Sequence, residues 1–366
     1  MKITKVTPLM VEGRHWPRFP WVLVEVHTDE GITGLGEALN YRSSGVVEGI
    51  RSLGPQLVGE DPFNVERLWE TMYRQGGVLP AISGIEIALW DIIGKALKTP
   101  LYNLFGGRCR DRIRVYVDGF FRGAAYKPDE YAEKAVETVD EGFTALKMDI
   151  DGPLPSIHTM ERSISRRDLR YTAEMVGAVR SAVGDDVDLA VDCHGSFNTT
   201  TAIALAKKLE KYDLMWIEDP VPSGNAAAMA KVAEAVETPI CTGELLNTRY
   251  EFRELLERQG ADIIMPDIVR TGGISEMKKI AAIADTYYVP VAPHNMVSPV
   301  ATMASIHFCA STPNFTILEF QLGDVPWKDQ MLDQPLTLKQ GYLEVPKRPG
   351  LGIALNTQEI QKHVVT

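Results

Sequence analysis

Residue types suited to acid–base and metal chemistry recur through this chain at a near-constant interval. The stretch "AVDCHGSF" (190–197) closes an apolar run with Asp192 and His194. That two-residue spacing on a strand sends both side chains to one face. Six other apolar runs carry a polar residue near their C-terminal ends. They are Lys147 in "ALKMDI", Glu218 in "LMWIEDP", Glu244 in "PICTGEL", Asp267 in "ADIIMPDI", His294 in "VPVAPHN" and Glu319 in "FTILEFQ". From Asp192 onward the intervals are 23 to 27 residues, and the first is longer because "DGPLPSIHTMERSISRRDLR" is inserted after Lys147. Asp192, Glu218 and Glu244 form a set of hard oxygen donors that suits Mg²⁺. Crowded together without a cation, they would repel one another strongly. A polar residue after a buried strand is ordinarily a helix cap or turn residue, so the argument rests on the period shared by all seven.

The elements needed to position these residues follow from the same pattern. Counting "IRVYVDGF" as the first, eight short apolar runs alternate with amphipathic helical stretches such as "TAIALAKKLEKY" and "SEMKKIAAIADTY". Repeated strand–helix units imply parallel strands covered by helices, and eight of them imply a closed barrel. In such a barrel the strand C-termini build the active site, so one rim receives all seven groups. Before residue 113 the texture differs. "ITKVTPLMVE" and "WVLVEVHTDEGITGLGEAL" read as strands, and "GIEIALWDIIGKAL" (84–97) as a helix ending before Pro100. Gly31, Gly34 and Gly36 have the wrong order for a dinucleotide loop and read as turn glycines. The chain is therefore α/β, with an α+β unit over 1–112, a (β/α) barrel over 113–322 and a C-terminal segment over 323–366.

Composition excludes several other classes. The chain has 366 residues, 45% hydrophobic and 24% charged, with a net charge of −11. No Lys/Arg run exceeds a pair, which argues against nucleic acid or an anionic membrane as the main partner. The four cysteines contain no CxxC pair, and no apolar stretch reaches transmembrane length. The expectation is a cytoplasmic protein acting on a small molecule.

With "GITGLGEA", "AISGIEIALWDIIGKAL", the carboxylate triplet and the Asp267–His294 pair in view, the sequence resembles the enolase superfamily and its mandelate racemase subgroup along essentially its whole length. The resemblance implies a modified TIM barrel. An α+β capping domain would be formed by the N-terminal region and the C-terminal tail. It implies one Mg²⁺ per subunit held by Asp192, Glu218 and Glu244, and a general base, His294, oriented by Asp267. Glu319 would hydrogen-bond a substrate carboxylate oxygen, with Lys147 stabilising the same charge from the other side. It also implies a homo-oligomer. Acid-sugar dehydratases of the galactonate dehydratase type show the closest likeness, because they carry Asp-x-His at the third strand. There Asp192 would hold metal and His194 would act as general acid. Racemases of the subgroup carry Lys-x-Lys at the second strand, whereas here Lys147 is followed by Asp149, which favours one-sided proton abstraction.

The chemistry is consistent with those roles. A proton α to a carboxylate is removable by an imidazole only if the charge that develops is strongly stabilised. A β-hydroxyl leaves only when protonated, a task for His194. The expected reaction is dehydration of an aldonate-type sugar acid to a 2-keto-3-deoxy acid. Alternatives are an epimerase, racemase or lactone cycloisomerase on the same scaffold, a non-catalytic acid-binding protein, or a metal-activated hydrolase. "GRHWPRFP" (13–20), with Arg14, His15 and Trp16, reads as a lid contacting substrate or as a plain surface loop, and Asp149 is a further substrate candidate. Arg166, Arg167 and Arg170 read as a solvated helix start, and "RTGGI" (270–274) as a turn or an anion-binding helix start.

Overall fold

The computed structural model describes residues 1–13, 19–39, 45–152 and 160–365. The chain opens with an antiparallel meander, β1 (Ile3–Val11), β2 (Trp21–Thr28) and β3 (Thr33–Ala38). Gly31 turns β2 into β3 with φ 78°. Gly34 and Gly36 are not turn residues, contrary to the sequence expectation. Both lie inside β3, where a Cβ would fall 2.0 Å from the carbonyl oxygens of Ala88 and Gly84. They let a helix backbone lie directly on the strand. Three helices cover the sheet: α1 (Gly45–Leu57), α2 (Val65–Arg74) and α3 (Leu79–Ala96). The last starts five residues earlier than its apolar periodicity indicates, because Pro80 suits a first helical turn. The short α4 (Leu101–Leu104) leads to the second unit.

That unit is a barrel. Its strands are β4 (Arg112–Asp118), β5 (Ala145–Asp149), β6 (Asp188–Asp192), β7 (Trp216–Glu218), β8 (Ile240–Thr242), β9 (Ile263–Ile264) and β10 (Leu318–Gln321). All neighbours from β4 to β9 are parallel, and β10 returns to pair with β4. The gap is bridged by Val291, paired with both Ile264 and Phe315. The run "VPVAPHN" thus takes the seventh place without forming a regular strand. Pro290 and Pro293 lack the N–H groups that a ladder requires. The covering helices are α5 (Pro128–Asp140), α6 (Arg166–Val183), α7 (Thr199–Leu209), α8 (Ala226–Glu234), α9 (Arg249–Glu257), α10 (Ile274–Thr286) and α11 (Pro299–Ala310). Arg166, Arg167 and Arg170 are exposed on the start of α6, as a solvated helix start requires.

Tyr116, Ala145, Ala190, Trp216, Cys241, Met265, Ala292 and Ile317 pack together inside the barrel, one from each run. Their neighbours in sequence, such as Leu146, Leu189, Val191 and Ile217, face the helices. Cys193 likewise lies in the helix-facing core, as expected. Period-2 alternation then places the residue two positions further along on the interior again, one layer nearer the C-terminal rim.

The first unit docks on that barrel through buried carboxylates. Glu86 of α3 accepts from the backbone N–H groups of Ile274 and Ser275 at 2.8 and 2.9 Å. It thereby caps α10, whose own N-cap, Gly273, has no side chain to do so. "RTGGI" is therefore an anion-binding helix start whose anion is a side chain of the same protein. Glu37 of β3 does the same at α11, accepting from Ser298 and Ala301 N–H at 3.0 Å each. Asp91 accepts from Leu35 and Leu351 N–H at 2.9 and 2.8 Å. The C-terminal segment first forms a hairpin, β11 (Leu338–Lys339) and β12 (Tyr342–Glu344), on the edge of β4. It then passes α12 (Thr357–Ile360) and reaches β1, where Val364 bridges Val11.

His307 ties α11 to this junction. Its Nδ1 accepts from Tyr102 N–H at 3.3 Å, so its Nε2–H donates to the Leu351 carbonyl at 3.1 Å. Burial pushes its pKa down to about 4. The unfolded chain binds this proton from about pH 6.5 downward and the folded chain resists it. Stability contributed by the neutral ring is complete above pH 6.5 and is lost as pH falls through 4. Urea denaturation at stepped pH should show a loss of about 3 kcal/mol across that window, and His307→Gln should flatten this limb.

Candidate active site

Seven of the eight interior positions are followed two residues later by a polar side chain: Asp118, Lys147, Asp192, Glu218, Asp267, His294 and Glu319. The exception is the fifth strand. There the second position is Gly243, at φ 129°, and the carboxylate arrives one residue later as Glu244. A Cβ at Gly243 would meet the Phe252 ring at 2.8 Å.

Lys147 sits at the bottom of the cluster and is 2% exposed. Its Nζ donates to Glu218 Oε1 at 2.6 Å and Asp192 Oδ2 at 3.1 Å, and lies 3.3 Å from Glu319 Oε1. The Tyr116 ring lies beneath it at 5.6 Å. Burial disfavours the ammonium, but Glu218 and Glu319 outweigh this and hold its pKa well above the ordinary value. Trp216 Nε1 donates to Glu218 Oε2 at 3.1 Å, fixing the carboxylate from the other side. Glu319 accepts from Asn295 N–H at 2.7 Å. Gln321 Nε2 donates to Asp118 and lies 3.3 Å from Glu319 Oε1.

The two histidines approach this cluster from different strands. His294 Nδ1 lies 2.6 Å from Asp267 Oδ2, and Asp267 Oδ1 accepts from Val269 N–H at 2.8 Å. The ring's Nε2 faces Glu244 Oε2 at 3.1 Å and Glu319 Oε2 at 3.7 Å. Burial opposes its charge, but Glu319, Glu244 and Asp267 together raise its pKa well above the ordinary value. His194 reaches the site by a route that strand alternation does not describe. β6 ends at Asp192, and His194 occupies the left-handed region with φ 45°. Such a conformation is unusual for a residue with a side chain and concentrates at functional sites. The turn brings Nε2 to 3.7 Å from Asp192 Oδ2, while the backbone N–H of His194 donates to Asp192 Oδ1 at 2.9 Å. Asp192 is the main cause that raises the imidazole pKa. Nearly half the ring surface is open to solvent, which screens that attraction.

The carboxylates carry more charge than their partners neutralise. Burial and then Asp192 push Glu218 well above the ordinary range. Burial also works to raise Asp192, but His194 and Lys147 overcome it and hold it below that range. Adjacent acids driven apart in this way share protons that a cation would replace. Burial and Glu244 raise Asp219 to about 7. The donor chemistry therefore fits a hard divalent ion. Among the described residues, the grouping whose ligand atoms all lie within 4.8 Å of one another is Asp149, Asp192 and His194, not the carboxylate triplet expected from the sequence. Asp149 is raised to about 8 by burial and by Asp118, so it is the poorer anionic ligand. The all-oxygen set also suits Mg²⁺ better than one containing imidazole.

Arg14, His15 and Trp16 lie outside the described residues. Among the described residues, sequence reasoning overlooked Asp118, Asp151, Asp219, Asn295 and Gln321. Asp118 was detectable, since "VYVD" repeats the two-residue step of the later strands. Gln321 was detectable in the same way, as the last residue of β10 two positions after Glu319; Asp151, Asp219 and Asn295 lie beyond regular strands, where alternation stops being informative. All four cysteines are free, and among the described residues no helix is long and apolar enough to cross a membrane.

The barrel, its cap and this rim of acids and histidines define an enolase-superfamily architecture. The chain belongs to the mandelate racemase / muconate lactonizing enzyme family. The family's N-terminal domain matches residues 4–106, and the enolase C-terminal domain-like model matches residues 130–360. A D-xylonate dehydratase of Haloferax volcanii is 41% identical, over 100% of this chain and 89% of that protein. A D-galactonate dehydratase of Ralstonia pickettii is 35% identical over 97% and 92% respectively. The crystal structure of a putative dehydratase from Mesorhizobium loti superposes with a TM-score of 0.92 at 36% identity, covering 100% of this chain and 99% of that one.

Removing Lys147 should test the charge balance directly. Lys147→Met leaves Asp192, Glu218 and Glu319 buried without their shared ammonium. It should cost about 3–5 kcal/mol, as breaking a buried ion pair from one side does. Chemical denaturation at pH 8, where the acids are least able to take up protons, is the appropriate measurement.

Proposed function

We propose that this protein is a Mg²⁺-dependent hydro-lyase that dehydrates a sugar acid to a 2-keto-3-deoxy acid. The observation that carries the reading is the placement of two imidazoles around one carboxylate cluster. His194 follows the third barrel strand and His294 ends the seventh, positions that face each other across an eight-membered ring. Each turns Nε2 toward the cluster and Nδ1 toward an aspartate. Elimination of water needs both groups: one removes the α-proton, and the other supplies a proton to the departing β-hydroxyl. The dehydratases among the relatives support the same reaction.

In this reading Asp192, Glu218 and Glu244 hold one Mg²⁺ per subunit. The ion would supply positive charge against the substrate carboxylate as negative charge develops there. His294 takes the α-proton on Nε2, while Asp267 keeps the other ring nitrogen protonated. With Glu244 given over to the cation, one of the anions that hold His294 as an imidazolium is withdrawn. Lys147 fixes Glu218 and Glu319, and Glu319 meets a substrate carboxylate oxygen. His194 delivers its Nε2 proton to the β-hydroxyl, which leaves as water, and the remaining enol becomes the 2-keto group. Asp149 occupies the position of a second basic lysine, so proton removal is confined to one face.

Sugar acids of the xylonate, gluconate, galactonate and arabinonate types, incubated with Mg²⁺, should yield a 2-keto-3-deoxy product from at least one. EDTA should abolish turnover and added Mg²⁺ restore it, and Asp192→Asn, Glu218→Gln or Glu244→Gln should each lose it. Undiminished activity in excess EDTA would overturn the metal assignment.

The histidines separate in D₂O. His294→Asn should lose dehydration and solvent exchange of the α-proton together. His194→Asn should lose dehydration by about 10²–10⁴-fold while exchange continues, as read by proton NMR of the substrate.

A further inference from the structure

A half-exposed imidazole on a strained turn has no strand to aim it, so something else must fix its orientation. Asp151 is 8% exposed and lies just beyond β5. His194 Nδ1 lies 3.2 Å from its Oδ1, and Ser196 Oγ donates to its Oδ2 at 3.0 Å. The backbone supports this approach. Ile150 N–H donates to the Asp192 carbonyl at 3.0 Å, keeping the segment after β5 in register with the end of β6.

The connectivity repeats that of His294. In both places a buried aspartate has one oxygen held by a nearby donor, Ser196 Oγ or Val269 N–H. The other oxygen faces a histidine Nδ1. In both, the ring's Nε2 then faces a carboxylate of the cluster, Asp192 or Glu244. An aspartate at Nδ1 fixes the ring plane and keeps the proton on that nitrogen, leaving Nε2 as the only reactive atom.

We propose that Asp151 is the positioning residue of His194, making the Asp151–His194 contact a second histidine–aspartate pair in this barrel. The proposal rests on the reading of His194 as the proton donor. An imidazole that gives its Nε2 proton to a leaving hydroxyl ends as the neutral ring with its proton on Nδ1, and a carboxylate facing Nδ1 holds that form in place. An amide in the same position can donate to Nδ1 instead, which leaves the ring with its remaining proton on Nε2 and a weak hold on the donor form.

Asp151→Asn and Asp151→Leu, loaded with Mg²⁺ and given an active sugar acid in D₂O, test this. Both should lower dehydration kcat by about 10²–10⁴-fold with little change in KM and keep the α-proton exchange that His194→Asn keeps. Asp267→Asn should lose exchange as well. Dehydration at the parental rate in both Asp151 variants overturns the proposal, as does loss of the exchange that His194→Asn retains. A second readout is independent of turnover. In ¹⁵N-histidine-labelled protein the His194 signals are assigned by their loss in His194→Asn. Its Nδ1 resonance should move in both Asp151 variants, and an unmoved resonance overturns the contact itself. If His194→Asn dehydrates at the parental rate while that resonance moves, the role of His194 as proton donor falls and the Asp151 contact stands.

Discussion

Burying an ammonium among Asp192, Glu218 and Glu319 commits the barrel rim to a particular balance of charge. Lys147 supplies one positive charge to three carboxyl groups, and two histidines face further acids around the same ring. Desolvated acids in such number persist only with donors on every oxygen and with cations nearby. The structure supplies the donors: Trp216 Nε1 on Glu218, Asn295 N–H on Glu319 and Val269 N–H on Asp267. Under the proposed function, the cation that completes this balance would be held by Asp192, Glu218 and Glu244.

The scaffold beneath is built to carry this arrangement. A closed layer of Tyr116, Trp216 and six smaller residues fills the barrel interior, so the polar layer above rests on a packed floor. Tyr116 and Trp216 meet edge to face at 5.2 Å directly beneath Lys147 and Glu218. Alternation along each strand converts a correctly packed floor into a correctly placed ring of functional groups. The chemistry therefore depends on strand register, and register is strongly specified wherever one face of a strand is buried.

The barrel and most of its rim were legible in the sequence because both follow from a repeating period. Asp192, Glu218, Asp267, His294 and Glu319 could be aligned by spacing alone, and each proves to be two residues beyond an interior side chain. Legibility ended where the chain left regular strands. Asp151, Asp219 and Asn295 act through turns whose geometry no spacing rule expresses. His194 was placed correctly beside Asp192 for the wrong reason, since a left-handed turn carries it there. Gly34 and Gly36 were misjudged, and "RTGGI" was left between two readings, for a related cause. Their roles, close backbone approach and acceptance of a distant carboxylate, are long-range contacts with no local signature. The lid suggested at Arg14, His15 and Trp16 lies outside the described residues.

Glu37 and Glu86 give the two halves of the chain a dependence on each other that sequence division at residue 112 conceals. The helix that begins at Ile274 has only glycine at its N-cap, and the start of the helix that begins at Pro299 donates three hydrogen bonds to Glu37. Each barrel helix is thus completed by a residue more than 180 positions earlier in the chain. A cap taken from a relative can replace this one without loss of those helix starts only if it carries acids at matching places. Recombination, in the laboratory or in evolution, is constrained by two carboxylates buried where the two units meet.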